Sequence, residues 1–178
     1  MKIKNGFVLR EMCGENIVTA EGMENINFNK LISLNSTAAF LWKNLEGKEF
    51  TEKEARLLNP LQLALIGDGV YELFIRNYIL SNSIDLSAHK IHVKAIGYVK
   101  AKSQSIIMHE IEDKLTEDES YIFKRGRNAK SATVPKNADV RDYRMATGFE
   151  ALIGYLYLIG DTDRLEFIFN TALSLDLQ

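Results

Sequence analysis

Two carboxylate residues lie within stretches of sequence that are otherwise apolar. Asp68 lies in the run LIGDGVY (65–71), and Glu150 lies in FEALIG (149–154). Removing a lone carboxylate from water is costly, so such a group is normally ion-paired, hydrogen-bonded or bound to a metal. Mg²⁺ accepts oxygen ligands from a few carboxylates and water, and Glu72 lies one helical turn after Asp68. The pattern predicts a metal site formed by Asp68 and Glu150, with Glu72 as a further candidate ligand.

A purely structural role for the same acids stays open at this point. Asp68 and Glu150 could cap helices, or they could pair with Arg76 or Arg144, because structural ion pairs also occupy buried positions.

A basic segment follows along the chain. Residues 124–144 read KRGRNAKSATVPKNADVRDYR, with seven bases and two acids, whereas residues 110–119 carry six acids and one base. Backbone N–H groups, hydroxyls and cationic side chains all donate hydrogen bonds to phosphate oxygens. We therefore expect the basic segment to bind phosphate, the alternative being an ordinary solvated surface. A divalent metal beside bound phosphates is suited to phosphodiester hydrolysis.

The overall composition sets the class of protein. The chain has 178 residues, of which 46% are hydrophobic, and a formal net charge of −2, which excludes an intrinsically disordered chain. A single cysteine excludes a disulfide framework and a multi-cysteine zinc finger. No apolar run approaches the roughly 18–20 residues of a membrane span, and no secretory h-region follows Met1. We expect a cytoplasmic protein without a membrane partner.

The elements that must position these groups differ between the two parts of the chain. Short β-prone runs occur at 7–10, 16–20 and 28–34, with a turn at 13–16, and they precede a predicted helix at 38–45. A capping box from Thr51 to Glu54 marks the next helix start. From Leu57 onward, three- and four-residue apolar steps predict helices throughout; the predicted helical segments span 61–79, 90–115, 148–159 and 163–175. The fold class is therefore mainly α, an all-helical domain preceded by a small β-plus-helix module.

The helical part resembles Mini-ribonuclease III, the compact ribonuclease III family without a double-stranded-RNA-binding domain. The matching stretches are PLQLALIGDGVYELFIRNYIL (60–80), YVKAKSQS (98–105), KRGRNAKSATVPKNADVRDYRMATGFEALIGYLYL (124–158) and the closing helix. The resemblance implies a homodimeric, all-α, Mg²⁺-dependent endonuclease, with Mn²⁺ able to substitute. It also implies cleavage of double-stranded RNA, in the maturation of large-subunit ribosomal RNA precursor.

The resemblance also assigns residues. Asp68 and Glu150 match the catalytic metal ligands of the family. The basic segment matches its RNA-contacting region, in which we expect RNA contacts from Lys124, Arg125, Arg127, Asn128, Lys130, Ser131, Thr133 and Lys136. Full-length ribonucleases III carry three further acids where this chain has Leu61, Ala64 and Thr147, so water, RNA or the partner subunit must complete the metal shell. Gly69 replaces a more usual alanine.

The first 54 residues resemble the opening of PqqD-like proteins, which bind leader peptides of ribosomally made peptides. The matching stretch runs from Gly6 to Thr51. The later helix that forms one wall of the peptide groove in that family is absent, so peptide binding is not expected of this segment. The predicted domains are a partial PqqD-like module at 1–54 and a Mini-ribonuclease III catalytic domain at 55–178, with a fusion junction near 51–57. The alternative function is a non-catalytic PqqD-like peptide adaptor, or an RNA-binding protein built on a nuclease fold.

Overall fold

A computed structural model describes residues 6–20, 32–34, 50–130 and 139–177 of the chain. Its internal contacts divide the chain into two compact units, 1–49 and 50–178. The predicted helix at 38–45 and the first part of the β-prone run at 28–34 lie outside the described residues.

The N-terminal unit contains a three-stranded antiparallel sheet in the order β1-β2-β3. The strands are β1 (Phe7–Met12), β2 (Glu15–Ala20) and β3 (Ile32–Leu34). Cys13 and Gly14 form a two-residue turn with φ values of 53° and 80°, the left-handed backbone that matches the twist of a tight hairpin. The predicted hairpin is therefore present, with its turn at these two residues.

The regular secondary structure described in the C-terminal unit is all helical. Its α-helices are α1 (Glu52–Leu57), α2 (Pro60–Asn82), α3 (Ala88–Val99), α4 (Ala101–Ile111), α5 (Glu117–Arg127), α6 (Val140–Ile159) and α7 (Thr162–Ser174), with a 3₁₀ turn at Glu112–Lys114 between α4 and α5. The predicted capping box is present, since Thr51 and Glu54 bond each other's backbone N–H groups at the start of α1. The prediction of a mainly helical fold with a small N-terminal sheet is confirmed. None of the described helices is long and apolar enough to cross a bilayer.

One predicted helical segment is in fact two helices. The periodicity at 90–115 predicts continuous helix, but Lys100 has an extended backbone (ψ 147°) that ends α3 and begins α4. Side chains of α4 satisfy carbonyl groups near the end of α3: Ser103 Oγ donates to the Gly97 oxygen at 2.6 Å, and Gln104 Nε2 donates to the Val99 oxygen at 3.1 Å. These bonds compensate carbonyls that a helix end leaves without partners.

Helix α6 forms the centre of the unit, with eleven of its twenty residues buried. Its closest neighbour is α2, and two glycines allow the backbones to touch. A Cβ atom at Gly67 would overlap the carbonyl oxygen of Glu150, and one at Gly154 would overlap the carbonyl oxygen of Leu63. Any larger residue at these two positions would therefore push α2 and α6 apart.

An ion pair ties α7 to α5. Arg164 Nε donates to Glu119 Oε1 at 2.7 Å, and Arg164 Nη2 donates to Glu119 Oε2 at 2.8 Å. Glu119 Oε2 also accepts from the Thr116 backbone N–H, which completes a capping box at the start of α5. Burial alone raises the pKa of Glu119, but these hydrogen bonds and the Arg164 charge outweigh it and lower that pKa.

The glycine contacts between α2 and α6 can be tested by alanine substitution. Gly67→Ala and Gly154→Ala should each lower the free energy of unfolding by about 3 kcal/mol or more, at the upper end of overpacking costs. Gly69→Ala is the matched control, because a Cβ there meets nothing within 4 Å; it should stabilise α2 by about 0.5–1 kcal/mol. Urea unfolding measures the free energy of unfolding of all three variants. Equal unfolding midpoints for Gly67→Ala and Gly69→Ala would contradict the close contact between α2 and α6.

The Glu119–Arg164 pair predicts a pH dependence. Glu119→Gln should lower the free energy of unfolding by about 2 kcal/mol at pH 7, because the charged acceptor of Arg164 is lost while the capping box is kept. Since folding lowers the pKa of Glu119 below its usual 4.5, this contribution is complete above that pH and is lost as the pH falls through the folded-state value.

Unfolding of the wild type and of Glu119→Gln at several pH values measures the difference between their free energies of unfolding. Glu117→Gln, in the same first turn of α5, is the control and should show little change. A difference that persists undiminished at pH 2 would show that the ionised pair is not its source.

Candidate active site

The contact between α2 and α6 places two acids on facing helices. Gly67, which touches the Glu150 carbonyl, immediately precedes Asp68 on α2. One turn further along α2, the ring of Tyr71 packs edge-on against Phe149, with ring centroids 5.1 Å apart. Backbone contact and aromatic packing thus hold the segments that carry Asp68 and Glu150 next to each other.

The two carboxylates influence each other's charge. Burial, followed by the negative charge of Asp68, raises the pKa of Glu150 to about 7, while a hydrogen bond from Gln104 acts in the opposite direction. The pKa of Asp68 is also raised, by desolvation of its carboxyl group and by the charge of Glu72, with Arg76 opposing. The structure therefore brings Asp68 and Glu150 into one site of concentrated negative charge.

Glu72 has a different environment. It forms an ion pair with Arg76, four residues later on α2. Neither Asp68 nor Glu150 forms an ion pair within the part of the chain that the structure describes. Arg76 is thus bound to Glu72, and within the described ranges the carboxylates of Asp68 and Glu150 have no cationic partner of their own.

These donors suit a hard divalent cation. Among the described residues no three His, Cys, Asp or Glu side chains cluster as a metal site, so this chain offers Asp68 and Glu150 as a pair. Mg²⁺ commonly takes one or two carboxylates and completes its shell with waters and substrate phosphates. The donor set fits that ion, and both residues stay predicted ligands.

The three positions at which full-length ribonucleases III carry acids contribute no charge here. Ala64 is buried in the core, and Leu61 is partly buried at the start of α2. The Thr147 hydroxyl donates to the Tyr143 carbonyl oxygen of its own helix at 3.0 Å. The local negative charge is therefore that of Asp68, Glu150 and the ion-paired Glu72.

The basic segment divides into exposed and internally bonded residues. Lys124, Asn128 and Lys130 are exposed. Arg125 instead donates to the backbone carbonyl oxygens of Arg56 and Leu58, the latter at 2.9 Å, so part of its guanidinium ties α5 to the end of α1. Ser131, Thr133 and Lys136 lie outside the described residues.

A basic groove of about 510 Å³ opens at the N-terminal end of α6. Its walls come from the ends of α4, α5 and α6, and its lining residues are His109, Glu112, Arg127, Asn128, Val140, Arg141, Arg144 and Met145. Arg127 and Asn128 belong to the predicted RNA contacts. Arg141 and Arg144 were not predicted as RNA contacts, although both lie in the same basic segment. The excess of bases in that segment continues to Arg144, and this pattern could have identified both residues.

Gln104 is a second residue that the sequence analysis did not single out. It is 1% exposed, its Nε2 donates to the Val99 carbonyl oxygen at 3.1 Å, and its side chain acts to lower the pKa of Glu150. A lone glutamine in a helix carries no pattern that distinguishes it from a surface residue, so its burial depends on how the helices pack.

Comparison with known proteins agrees with this geometry. The model of the Ribonuclease III domain matches residues 61–161. Mini-ribonuclease 3 of Clostridium tetani is 53% identical over 129 residues, covering 72% of this chain and 85% of the relative. Mini-ribonuclease 3 of a Thermoanaerobacter species is 47% identical over 129 residues, covering 72% and 90%.

A solved structure shares the fold. The crystal structure of a Fusobacterium nucleatum protein superposes with a TM-score of 0.61 at 34% identity, covering 66% of this chain and 93% of that chain. The family model does not extend to residues 1–54, whose resemblance to PqqD-like proteins stays a prediction. The helical part carries the evidence, and through it the chain belongs to the Mini-ribonuclease 3 family of ribonuclease III endoribonucleases.

Proposed function

We propose that this protein is a Mg²⁺-dependent endoribonuclease that cleaves double-stranded RNA in the cytoplasm, with Mn²⁺ able to replace Mg²⁺. The observation that carries the proposal is the pairing of Asp68 with Glu150 across the α2–α6 contact, where neither has a cationic partner among the described residues. Relatives at 53% and 47% identity are Mini-ribonucleases 3, which supports the reaction class. Maturation of large-subunit ribosomal RNA precursor is the proposed biological role, by family resemblance.

Asp68 and Glu150 are the residues that would hold the metal. When bound, Mg²⁺ supplies a Lewis acid that activates water and stabilises the leaving oxygen of a phosphodiester. The chain contributes two carboxylates: burial, and then the charge of Asp68, raises the pKa of Glu150, and a bound divalent cation would offset the repulsion between them. Glu150 is half-buried, and its partial burial strengthens these interactions relative to those in bulk water.

The basic groove is the proposed contact for the RNA backbone. Arg127, Arg141 and Arg144 present guanidinium groups there, which bind phosphate oxygens in a forked geometry. Arg144 precedes Glu150 by six residues of α6, or about 9 Å along the helix axis. Contacts of this kind recognise the shape and phosphates of an A-form duplex and carry little base specificity.

An apolar stripe on α2 supports a homodimer. Leu65, Ile66, Leu73 and Leu80 are 40–74% exposed, and at 100° per residue they lie within about 100° of one another around the helix. Large exposed apolar patches are typical of interfaces. Because Leu65 lies one turn before Asp68, a partner on this stripe would place a second active site close to the first, as cutting two strands requires.

The dimer can be tested by charging the stripe. Leu65→Lys should shift the protein to half the wild-type mass in sedimentation equilibrium, because burying an unpaired ammonium group at an interface is costly. Leu57→Lys is the control, since Leu57 is 75% exposed but lies on α1, outside the stripe. Retention of the dimer by Leu65→Lys, or equal dissociation of both variants, would exclude the stripe as the interface.

The proposed reaction can be tested on a double-stranded RNA with Mg²⁺. Asp68→Asn and Glu150→Gln should each abolish cleavage, with a loss greater than the about 10–100-fold typical of changes outside the first ligand shell. RNA binding measured in Ca²⁺ should persist, because the groove is intact. A chelator should stop the wild type, and added Mg²⁺ or Mn²⁺ should restore it.

Asp85→Asn is the matched control, an exposed acid beyond the end of α2, and should cleave normally. Wild-type turnover by either active-site variant would exclude the assignment. RNA binding without cleavage under every metal would favour the RNA-binding alternative, and leader-peptide binding without cleavage would favour the peptide adaptor.

A further inference from the structure

The basic groove contains a histidine that the proposed function has not yet used. His109 lies in the last turn of α4 and lines the groove together with three arginines. Its side chain is 52% exposed, so a ligand in the groove can reach the imidazole ring. Histidine is the side chain that changes charge between about pH 5 and 8. The protonation of His109 therefore sets part of the charge of the groove.

The charged groups around this ring come from three elements. Arg127 lies at the end of α5, and Arg141 and Arg144 lie in the first turns of α6. Glu112, in the 3₁₀ turn after α4, is the one acid among the residues that line the groove. Three arginines and one glutamate give the lining a charge of +2 when His109 is neutral and +3 when it is protonated.

Glu112 is placed to hold the imidazole ring. Its Oε2 lies 4.0 Å from Nδ1 of His109, three residues earlier in the chain. Of the other acids nearby in sequence, Glu110 is paired with Lys114, and Asp113 does not line the groove. An imidazolium ring donates from both nitrogens, so the N–H of Nδ1 can serve Glu112 while that of Nε2 serves a phosphate oxygen.

The balance of charge around the ring changes when a phosphate enters the groove. Before RNA binds, Glu112 favours a positive charge on the ring, whereas the three guanidinium groups disfavour it. Phosphodiester groups are negative and accept hydrogen bonds, so their presence favours the imidazolium form. Binding of RNA is then linked to the uptake of one proton, which the solvent supplies.

We infer that His109 is a further phosphate-binding residue of the groove, which contacts the RNA backbone in its protonated form. The inference rests on the proposed function, to which it adds a contact from α4 and a pH dependence of RNA binding. A purely structural role is the alternative, because a positive charge in the last turn of a helix stabilises that helix through its dipole. The two roles differ in whether the affinity for RNA follows the protonation of the ring.

The test compares the wild type with His109→Gln and His109→Lys, which replace the ring by a neutral group and by a permanently charged one. Binding of a double-stranded RNA is measured in Ca²⁺ from about pH 5.5 to about pH 8, at several salt concentrations. The wild-type affinity should be about 5-fold higher at the acidic end, near the upper limit for an exposed charge pair. It should match that of His109→Lys at the acidic end and that of His109→Gln at the alkaline end.

The salt dependence gives a second measure of the same contact. A cationic side chain that contacts a phosphate changes the slope of log K against log salt by about one unit, so the wild-type slope should steepen by about that amount as the pH falls. His92→Gln is the matched control, because His92 is an exposed histidine of α3 that does not line the groove. This variant should keep the pH dependence of the wild type.

The outcomes separate the two proposals. Wild-type protein that neither binds nor cleaves double-stranded RNA would overturn the proposed function, and this inference with it. If the wild type cleaves RNA with Mg²⁺ but His109→Gln keeps its full pH dependence of affinity and slope, the role of His109 alone is overturned. Thermal unfolding checks that the variants are folded. If only the melting temperature follows the charge at position 109, and His109→Lys binds RNA no better than His109→Gln at the alkaline end, the role is structural and the inference is wrong.

Discussion

Backbone contact between α2 and α6 is the constraint on which the active site depends. Gly67 and Gly154 each lie against a carbonyl oxygen of the other helix, and one of those oxygens belongs to Glu150 itself. Side chains of ordinary size would hold the helix axes 8–10 Å apart, which would separate the two carboxylates that we propose as ligands of one ion. Burial among the packed helices is also the largest cause of the raised pKa of Glu150.

Most of the elements were predictable because they depend on local signals. The Thr51–Glu54 capping box identifies a helix start, and the apolar steps around Glu150 identify a buried helix, without tertiary information. The apolar residues beside Asp68 do not mark a buried face, since Leu65 and Ile66 are exposed. The extended backbone at Lys100 was not predictable, since neither glycine nor proline marks it and the apolar periodicity continues across it. The internal bonds of Arg125 were also beyond reach, because their acceptors are the carbonyl oxygens of Arg56 and Leu58, which only the packed helices bring near.

The net charge of −2 is a sum that does not show where the positive and negative charges lie, and the ion pairs explain their separation. Four acids of the helical unit are ion-paired within it: Glu119 with Arg164, Asp118 with Arg56, Glu110 with Lys114 and Glu72 with Arg76. Such pairs add little field at a distance because their charges cancel locally. The guanidinium groups of Arg127, Arg141 and Arg144 gather instead at one groove, and a polyanion responds to that local charge more than to the sum over the chain.

In a site with so few carboxylates, the substrate must supply part of the ligands of the metal. Where Leu61, Ala64 and Thr147 replace acids, the chain supplies two carboxylates, and repulsion at the site in the absence of metal is correspondingly small. The folded protein therefore carries less electrostatic strain, but under the proposed function its affinity for the ion would depend more on phosphate oxygens of bound RNA. Metal and RNA would then bind cooperatively, since each supplies what the other lacks. In such an arrangement the orientation of each remaining ligand would matter more than it does in a ligand set with acids to spare.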